Sequence, residues 1–172
     1  MELIDNIQRT FAEDLRSELS TGSHMSIAAS CFSIYAYQEL RKELEGIEEL
    51  RFIFTSPTFI TDKTNKEERE FYIPRLNRER SLTGSEFEIL LRNELTQKAI
   101  ARECAEWIRK KVRFKSNCTK ENMMGFGVVD NCAYMPLTGF TTVELGVERG
   151  DNAYTMIQKS EAPFSQSYTQ LF

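Results

Sequence analysis

The sequence has few of the residues that carry metal or acid–base chemistry. Its 172 residues include a single histidine, His24, and four cysteines that stand far apart with no C-x-x-C pair. Zinc sites need closely spaced cysteine and histidine ligands, and small secreted scaffolds are denser in cysteine. The sequence therefore predicts no structural metal, no cofactor in this domain and no disulfide framework.

Long apolar segments and a strong excess of positive charge are also missing. No run approaches the length of about 18 apolar residues that a membrane-spanning helix requires. The N-terminus has neither the basic region nor the apolar region of a signal peptide. The net charge is −4, with 28% charged residues, which does not suit a large duplex-binding face. We expect a cytoplasmic protein with no membrane partner.

The first third of the chain has the pattern of an α/β protein. Apolar residues at helical spacing predict an amphipathic helix over 4–19, with the charged residues on its other face. An apolar run over 25–32 predicts a buried strand. A helix over 34–44, capped by Ser33, and a strand over 50–55 would complete a βαβ unit with parallel strands.

The rest of the chain predicts a long helix over 85–111, with Trp107 packed in the core, and then short strands over 112–115, 124–129, 132–135 and 153–157. Gly125 and Gly127 favour close backbone approach within a strand. Glu144 and Glu148 are expected on a solvated face. A last helix opens near Pro163 and reaches the final residue, Phe172, which is typical of a fragment of a larger protein.

This order of elements resembles that of phospholipase D-like domains. The similarity starts with the strand Ser26–Ser33, continues with a helix and the strand Arg51–Phe54, and covers nearly the whole chain. More narrowly, the chain is similar to the domains at the N-terminus of bacterial Snf/Swi-type and restriction-associated DNA helicases. The resemblance implies one α/β domain over residues 1–172, a phospholipase D-like mixed sheet flanked by helices, followed by a helicase motor.

The catalytic motif of that family is degenerate in this chain. Active members carry a histidine and a lysine two residues apart on a strand, followed by a Gly-Ser-Ser-Asn-Phe-Thr-like turn. The histidine attacks phosphorus, the lysine and asparagine stabilise charged oxygens, and two motifs form one site. The corresponding positions here are Met123, Met124, Gly125, Thr138, Gly139, Phe140 and Thr141. The resemblance therefore implies no catalytic residue, and it favours a non-catalytic accessory domain that docks onto the motor or forms a homodimer.

Two other functions remain open. The first is a nucleic-acid-binding module that contacts DNA through its basic residues, because phosphate contacts are made mainly by arginine and lysine. The basic candidates are Arg75, Arg78, Arg80, Arg109, Lys110 and Lys111. The second is a phosphodiesterase or nuclease with an unrecognised site. His24 is the single imidazole available for such a site, and it has no neighbouring catalytic pattern.

Overall fold

The computed structural model describes residues 1–55, 60–61, 71–72, 94–119, 121–150 and 156–172. The strands are β1 (Glu2–Ile4), β2 (His24–Ala29), β3 (Glu49–Phe54), β4 (Ile60–Thr61), β5 (Phe71–Tyr72), β6 (Val112–Ser116), β7 (Phe126–Val129), β8 (Cys132–Met135) and β9 (Ile157–Ser160). The helices are α1 (Phe11–Glu18), α2 (Ile34–Glu39), α3 (Arg41–Gly46), α4 (Glu94–Lys111) and α5 (Phe164–Thr169).

Seven of these strands form one mixed sheet in the order β1-β9-β8-β7-β2-β3-β6. Strands β2, β3 and β6 are parallel neighbours, and the remaining pairs are antiparallel. Strands β2, β3, β6 and β8 therefore finish at the same end of the sheet, where β7 begins. We call this the motif end, and we call the other the opposite end. The predicted mixed α/β architecture is confirmed.

The larger hydrophobic core lies between one face of the sheet and helices α1 to α4. Alternate residues of β3 point into it, because Leu50, Phe52 and Phe54 are buried while the residues between them are half-buried. Phe32 lies at its centre. Its ring lies 5.6 Å from Phe52, 5.8 Å from Phe114, 5.6 Å from Phe140 and 6.4 Å from Trp107, between ring centroids. The aromatic cluster joins the sheet to α4 and to the loop after β8.

The other face of the sheet carries a smaller apolar cluster. Ala28, Phe126, Val128 and Ala133 form its buried part, and Tyr168 and Phe172 pack on it from the last segment of the chain. Helix α5 thus covers β7 and β8 on this face. The helix ends at Thr169 rather than running on to Phe172 as predicted.

The predicted helix over 4–19 is wrong in its first half. Ile4 lies in β1, Ile7 is 63% exposed, and the helix begins only at Phe11. The Asp5 carboxylate accepts hydrogen bonds from the backbone N–H groups of residues 7, 8 and 9, which holds a turn there. Thr10 and Glu13 then form a capping box that fixes the helix start.

The remaining predictions agree better with the structure. The strands at β2, β3, β6, β7 and β8 and the helical region between β2 and β3 are confirmed, although that region is divided at Leu40 into α2 and α3. Trp107 is buried, and its Nε1 donates to the Leu44 carbonyl at 2.9 Å. Strand β9 begins at Ile157, where the predicted strand over 153–157 ends. The first part of the predicted long helix, 85–93, lies outside the described residues.

We expect Phe32→Ala to destabilise the protein by about 3–5 kcal/mol, because it removes a buried ring from the centre of the aromatic cluster. Phe164→Ala is the matched control, since this ring is 67% exposed and its loss should change stability by no more than about 0.5 kcal/mol. Urea unfolding followed by circular dichroism measures both. Equal effects of the two substitutions would contradict the arrangement of the core.

Candidate functional site

The positions identified by the family resemblance come together at the motif end of the sheet. Met123 to Gly125 immediately precede β7, and Thr138 to Thr141 lie in the loop that follows β8. Because β7 and β8 are antiparallel neighbours, the start of one lies beside the finish of the other. Residues that are more than ten positions apart in the sequence therefore lie close together at this end of the sheet.

The loop after β8 is joined by hydrogen bonds to the segment that follows β2. The N–H of Ser30 donates to the carbonyl of Thr138 at 2.9 Å, and its hydroxyl donates to the same oxygen at 2.6 Å. The N–H of Phe140 donates to the carbonyl of Cys31 at 2.9 Å. The N–H of Ser33 donates to the carbonyl of Phe140, also at 2.9 Å. The loop thus packs directly against the segment that follows β2.

Two glycines permit this close approach. A Cβ atom added at Gly125 would overlap the carbonyl group of Leu137, whose own N–H donates to the Gly125 carbonyl at 2.9 Å. A Cβ atom at Gly139 would lie 2.8 Å from Cys31 Sγ, a distance that real Cβ atoms essentially never show. In this conformation neither position has room for a side chain. The interpretation of Gly125 and Gly127 as sites of close packing is confirmed.

The side chains at the motif positions do not form a catalytic pair. Met123 is half-buried against the smaller apolar cluster, and Met124 is 63% exposed. Phe140 is buried, and the hydroxyl oxygen of Thr141 accepts a hydrogen bond from the Glu144 N–H at 3.1 Å. These side chains are thioethers, an aromatic ring and a hydrogen-bonded hydroxyl. None of them places a nucleophile beside a base.

Glu144 is a buried carboxylate in this loop, and the prediction that it lies on a solvated face is wrong. Its side chain is 7% exposed, and one of its oxygens accepts a hydrogen bond from the Thr138 N–H at 2.9 Å. Burial raises the pKa of this carboxyl, and the Thr138 N–H only partly offsets the effect. Neighbouring contacts fix the loop, since Asn6 donates to the Glu144 carbonyl at 3.0 Å. Glu148 is half-buried, and its carboxylate accepts from Thr142 Oγ1 at 2.7 Å.

The predicted basic residues that the structure describes are not at the motif end. Arg109, Lys110 and Lys111 end α4 at the opposite end of the sheet, where His24 begins β2. Lys111 donates to the carbonyl of Ile47 at 2.7 Å and so anchors α4 to the residue after α3. Arg75, Arg78 and Arg80 lie outside the described residues.

A second cluster of charged groups, which the sequence did not predict, ties α1 to the sheet. Asp14 is fully buried and accepts hydrogen bonds from Tyr134 at 2.8 Å and from Lys159 at 3.3 Å, and it pairs with Arg9. Lys159 also binds Glu18 at 2.6 Å, and this hydrogen bond lowers the pKa of Glu18. Burial, with the hydrogen bond to Asp14, raises the pKa of Tyr134.

These charged groups satisfy one another, and we assign them a structural role. Burial works against the charge of Lys159, but its hydrogen bonds to Glu18 and Asp14 outweigh burial and raise its pKa. A buried carboxylate is tolerated only when it is paired and hydrogen-bonded. Two of the partners of Asp14, Tyr134 and Lys159, lie more than 100 residues further along the chain, so no local pattern in the sequence could have identified them.

No family model matches this chain, and no curated protein matches it significantly. In the parts of the chain that the structure describes, no three side chains among His, Cys, Asp and Glu are grouped so that they could hold a metal ion. None of the helices described is both long and apolar enough to cross a membrane. All four cysteines belong to described segments, and none is in a disulfide.

We expect Gly125→Ala to destabilise the fold by more than about 2 kcal/mol, because a methyl group would force the Leu137 backbone away from the strand. Gly46→Ala is the control. Its Cβ would lie 3.7 Å from Thr21 Oγ1, an ordinary contact, and alanine is favoured over glycine in a helix. Thermal unfolding should show a large loss for the first and none for the second. Full tolerance of Gly125→Ala would contradict the close approach.

Glu144→Gln should stabilise the protein at neutral pH. The pKa of Glu144 is higher in the folded than in the unfolded chain, so folding stability falls as pH rises from the unfolded value towards the folded one. Glutamine keeps an acceptor for Thr138 and carries no charge. This gain in folding stability should be present at pH 7 and disappear below pH ~4. The exposed control Glu121→Gln should change stability at neither pH. A pH-independent loss of stability would contradict the assignment.

Proposed function

We propose that this chain is a phospholipase D-like domain without catalysis of its own, which acts as an accessory or interaction domain of a DNA helicase. The observation that carries the proposal is the closure of the motif end. The Leu137 backbone fills the space beside Gly125, and Cys31 Sγ fills the space beside Gly139, where active members of the family carry the lysine and the asparagine. Substrate phosphate would need that space.

The arrangement of the strands supports the family assignment. The parallel pair β2 and β3, the helices between them, the long helix α4 and the antiparallel strands after it follow the order that the resemblance implies. Fold alone does not fix chemistry, so the functional argument rests on the motif positions. Met123 replaces the nucleophile, and Gly125 has no side chain. Only a surface therefore remains where active members of the family have their catalytic site.

An accessory role fits the physical character of that surface. The motif end is held by backbone hydrogen bonds and a buried carboxylate, and no part of it has to move for chemistry. Met124 is 63% exposed there, which offers an adaptable apolar contact for a protein partner. The partner that the resemblance implies is the helicase motor of the same protein, with a second copy of this domain as the alternative.

The absence of catalysis can be tested with the purified chain and bis-p-nitrophenyl phosphate in the presence of a chelator. We expect hydrolysis no faster than in a buffer blank, because the motif positions supply neither nucleophile nor lysine. Met123→Ala serves as a control for contaminating enzymes, since any trace activity should be the same in both preparations. Robust metal-independent hydrolysis that Met123→Ala abolishes would contradict the proposal.

The accessory role has its own measurement, which is co-elution of this domain with the helicase motor segment that the proposal places after it. We expect a stoichiometric complex in gel filtration with light scattering. Met124→Glu should weaken that complex at least tenfold, because it puts a charge in the apolar contact. The control is Phe164→Glu, which puts the same charge on an apolar residue that is 67% exposed and follows β9, a strand that finishes at the opposite end of the sheet. Independent elution of domain and motor would argue against the role.

A further inference from the structure

A strip of positive side chains runs from the opposite end of the sheet onto its second face. Arg113 and Arg51 are direct neighbours across β6 and β3, and Lys115 follows on the same face of β6. Arg109, Lys110 and Lys111 continue the strip at the end of α4. We call these six residues the basic strip. They are concentrated in one region of a chain whose net charge is −4.

Two open grooves show that the basic strip is continuous. The first, of about 510 Å³, lies at the opposite end between the end of α4 and the starts of β2 and β3. The second, of about 290 Å³, lies on the sheet face between β3, β6 and Phe172. Both grooves are lined by Glu49 and Arg113. Among their described lining residues, the acidic ones are Glu48 and Glu49, so the six cations outnumber them.

Two of these cations are held in position by neighbouring groups. Arg51 Nε donates to Ser26 Oγ at 3.0 Å, and its guanidinium lies 5.5 Å from the centroid of the Phe172 ring. Arg113 is paired with Glu49, yet its side chain remains 80% exposed. A guanidinium that is fixed before binding loses less entropy when it engages a phosphate.

We infer that the basic strip binds the sugar–phosphate backbone of single-stranded nucleic acid. The strip turns from the end of α4, past the edge strand β6, onto the second face of the sheet. A straight, rigid duplex would therefore touch only part of the strip. A flexible single strand can follow the turn. Cations beside an aromatic ring, here Arg51 and Phe172, are the combination that single-strand binders use.

This site is separate from the surface assigned above to the accessory role, because no residue that lines its two grooves belongs to residues 123–125 or to the loop after β8. It shares Arg109, Lys110 and Lys111 with the basic residues predicted from sequence, but Arg51, Arg113 and Lys115 were not among them. The alternation of cations with Val112 and Phe114 in β6 was the signal in the sequence. The adjacent Arg51 could be recognised only from the pairing of β3 with β6.

Fluorescence anisotropy of the full 172-residue chain with a labelled 20-nucleotide oligo-dT tests the inference. We expect micromolar binding at low salt that weakens steeply as salt rises. Arg113→Glu with Lys115→Glu should reduce affinity at least tenfold. The slope of log affinity against log salt concentration should decrease in magnitude by about 1.4. This is about 0.7 for each of two phosphates that the variant no longer neutralises. Both side chains are exposed, so the variant should keep the wild-type melting temperature.

Lys98→Glu with Arg102→Glu is the matched control. These exposed residues lie earlier on α4, outside the basic strip, and the double substitution changes the net charge by the same amount. It should leave oligo-dT binding within about twofold of the wild type. Equal weakening by the two double variants would overturn the inference, because binding would then follow net charge alone.

Three further results would overturn it. The first is no binding of oligo-dT at tens of micromolar protein in low salt. The second is tighter binding of a 20-base-pair duplex than of the single strand. The third is competition by oligoglutamate that equals competition by oligo-dT at the same charge concentration, since the strip would then bind any polyanion, acidic protein segments included.

Discussion

The contact on which the rest of the structure depends is the one between the loop after β8 and the segment after β2. Four hydrogen bonds to backbone carbonyls and the stacked rings of Phe32 and Phe140 hold the two together. The ring of Phe140 completes the aromatic cluster, so the same contact closes the large core from the motif end. Loss of this contact would expose the core and remove the environment that buries Glu144.

Under the proposed family assignment, that contact also explains how a fold associated with phosphoryl chemistry can be kept without it. An active site needs room for a substrate and side chains aimed into that room. Here Gly125 and Gly139 supply no side chains, and the Leu137 backbone and Cys31 Sγ occupy the room beside them. The change that removes catalysis is then the same change that packs the end of the sheet. Stability and loss of function would come from one local rearrangement.

The sequence predicted those parts of the structure that local pattern determines. Periodicity located β2, β3 and α2. Gly127 in β7 and Gly125 just before it indicated a close approach of the backbone. The start of α1 was missed although its signal was local, because the capping box of Thr10 and Glu13 was overlooked beneath a periodic run of apolar residues. Asp5 adds the turn that interrupts this run.

What could not be predicted depends on contacts between distant parts of the chain. Asp14 is buried because Tyr134 and Lys159 meet it from β8 and β9. Glu144 is buried because its own loop folds over it, and an acidic residue between turn-forming neighbours gives no hint of that. The basic strip likewise needs the register of β3 against β6. Ionic partners across a sheet are set by topology, which a single sequence does not reveal.

Native-state hydrogen exchange at the motif end is the most direct measurement of whether this end is closed. The backbone N–H groups of Ser30, Ser33 and Phe140 each donate to a carbonyl across the contact. We predict that these three exchange slowly, at rates close to those of the β2 amides, because opening them requires disruption of the core. Exchange as fast as that of the exposed turn residue Asn131 would contradict the account, since the motif end would then be open.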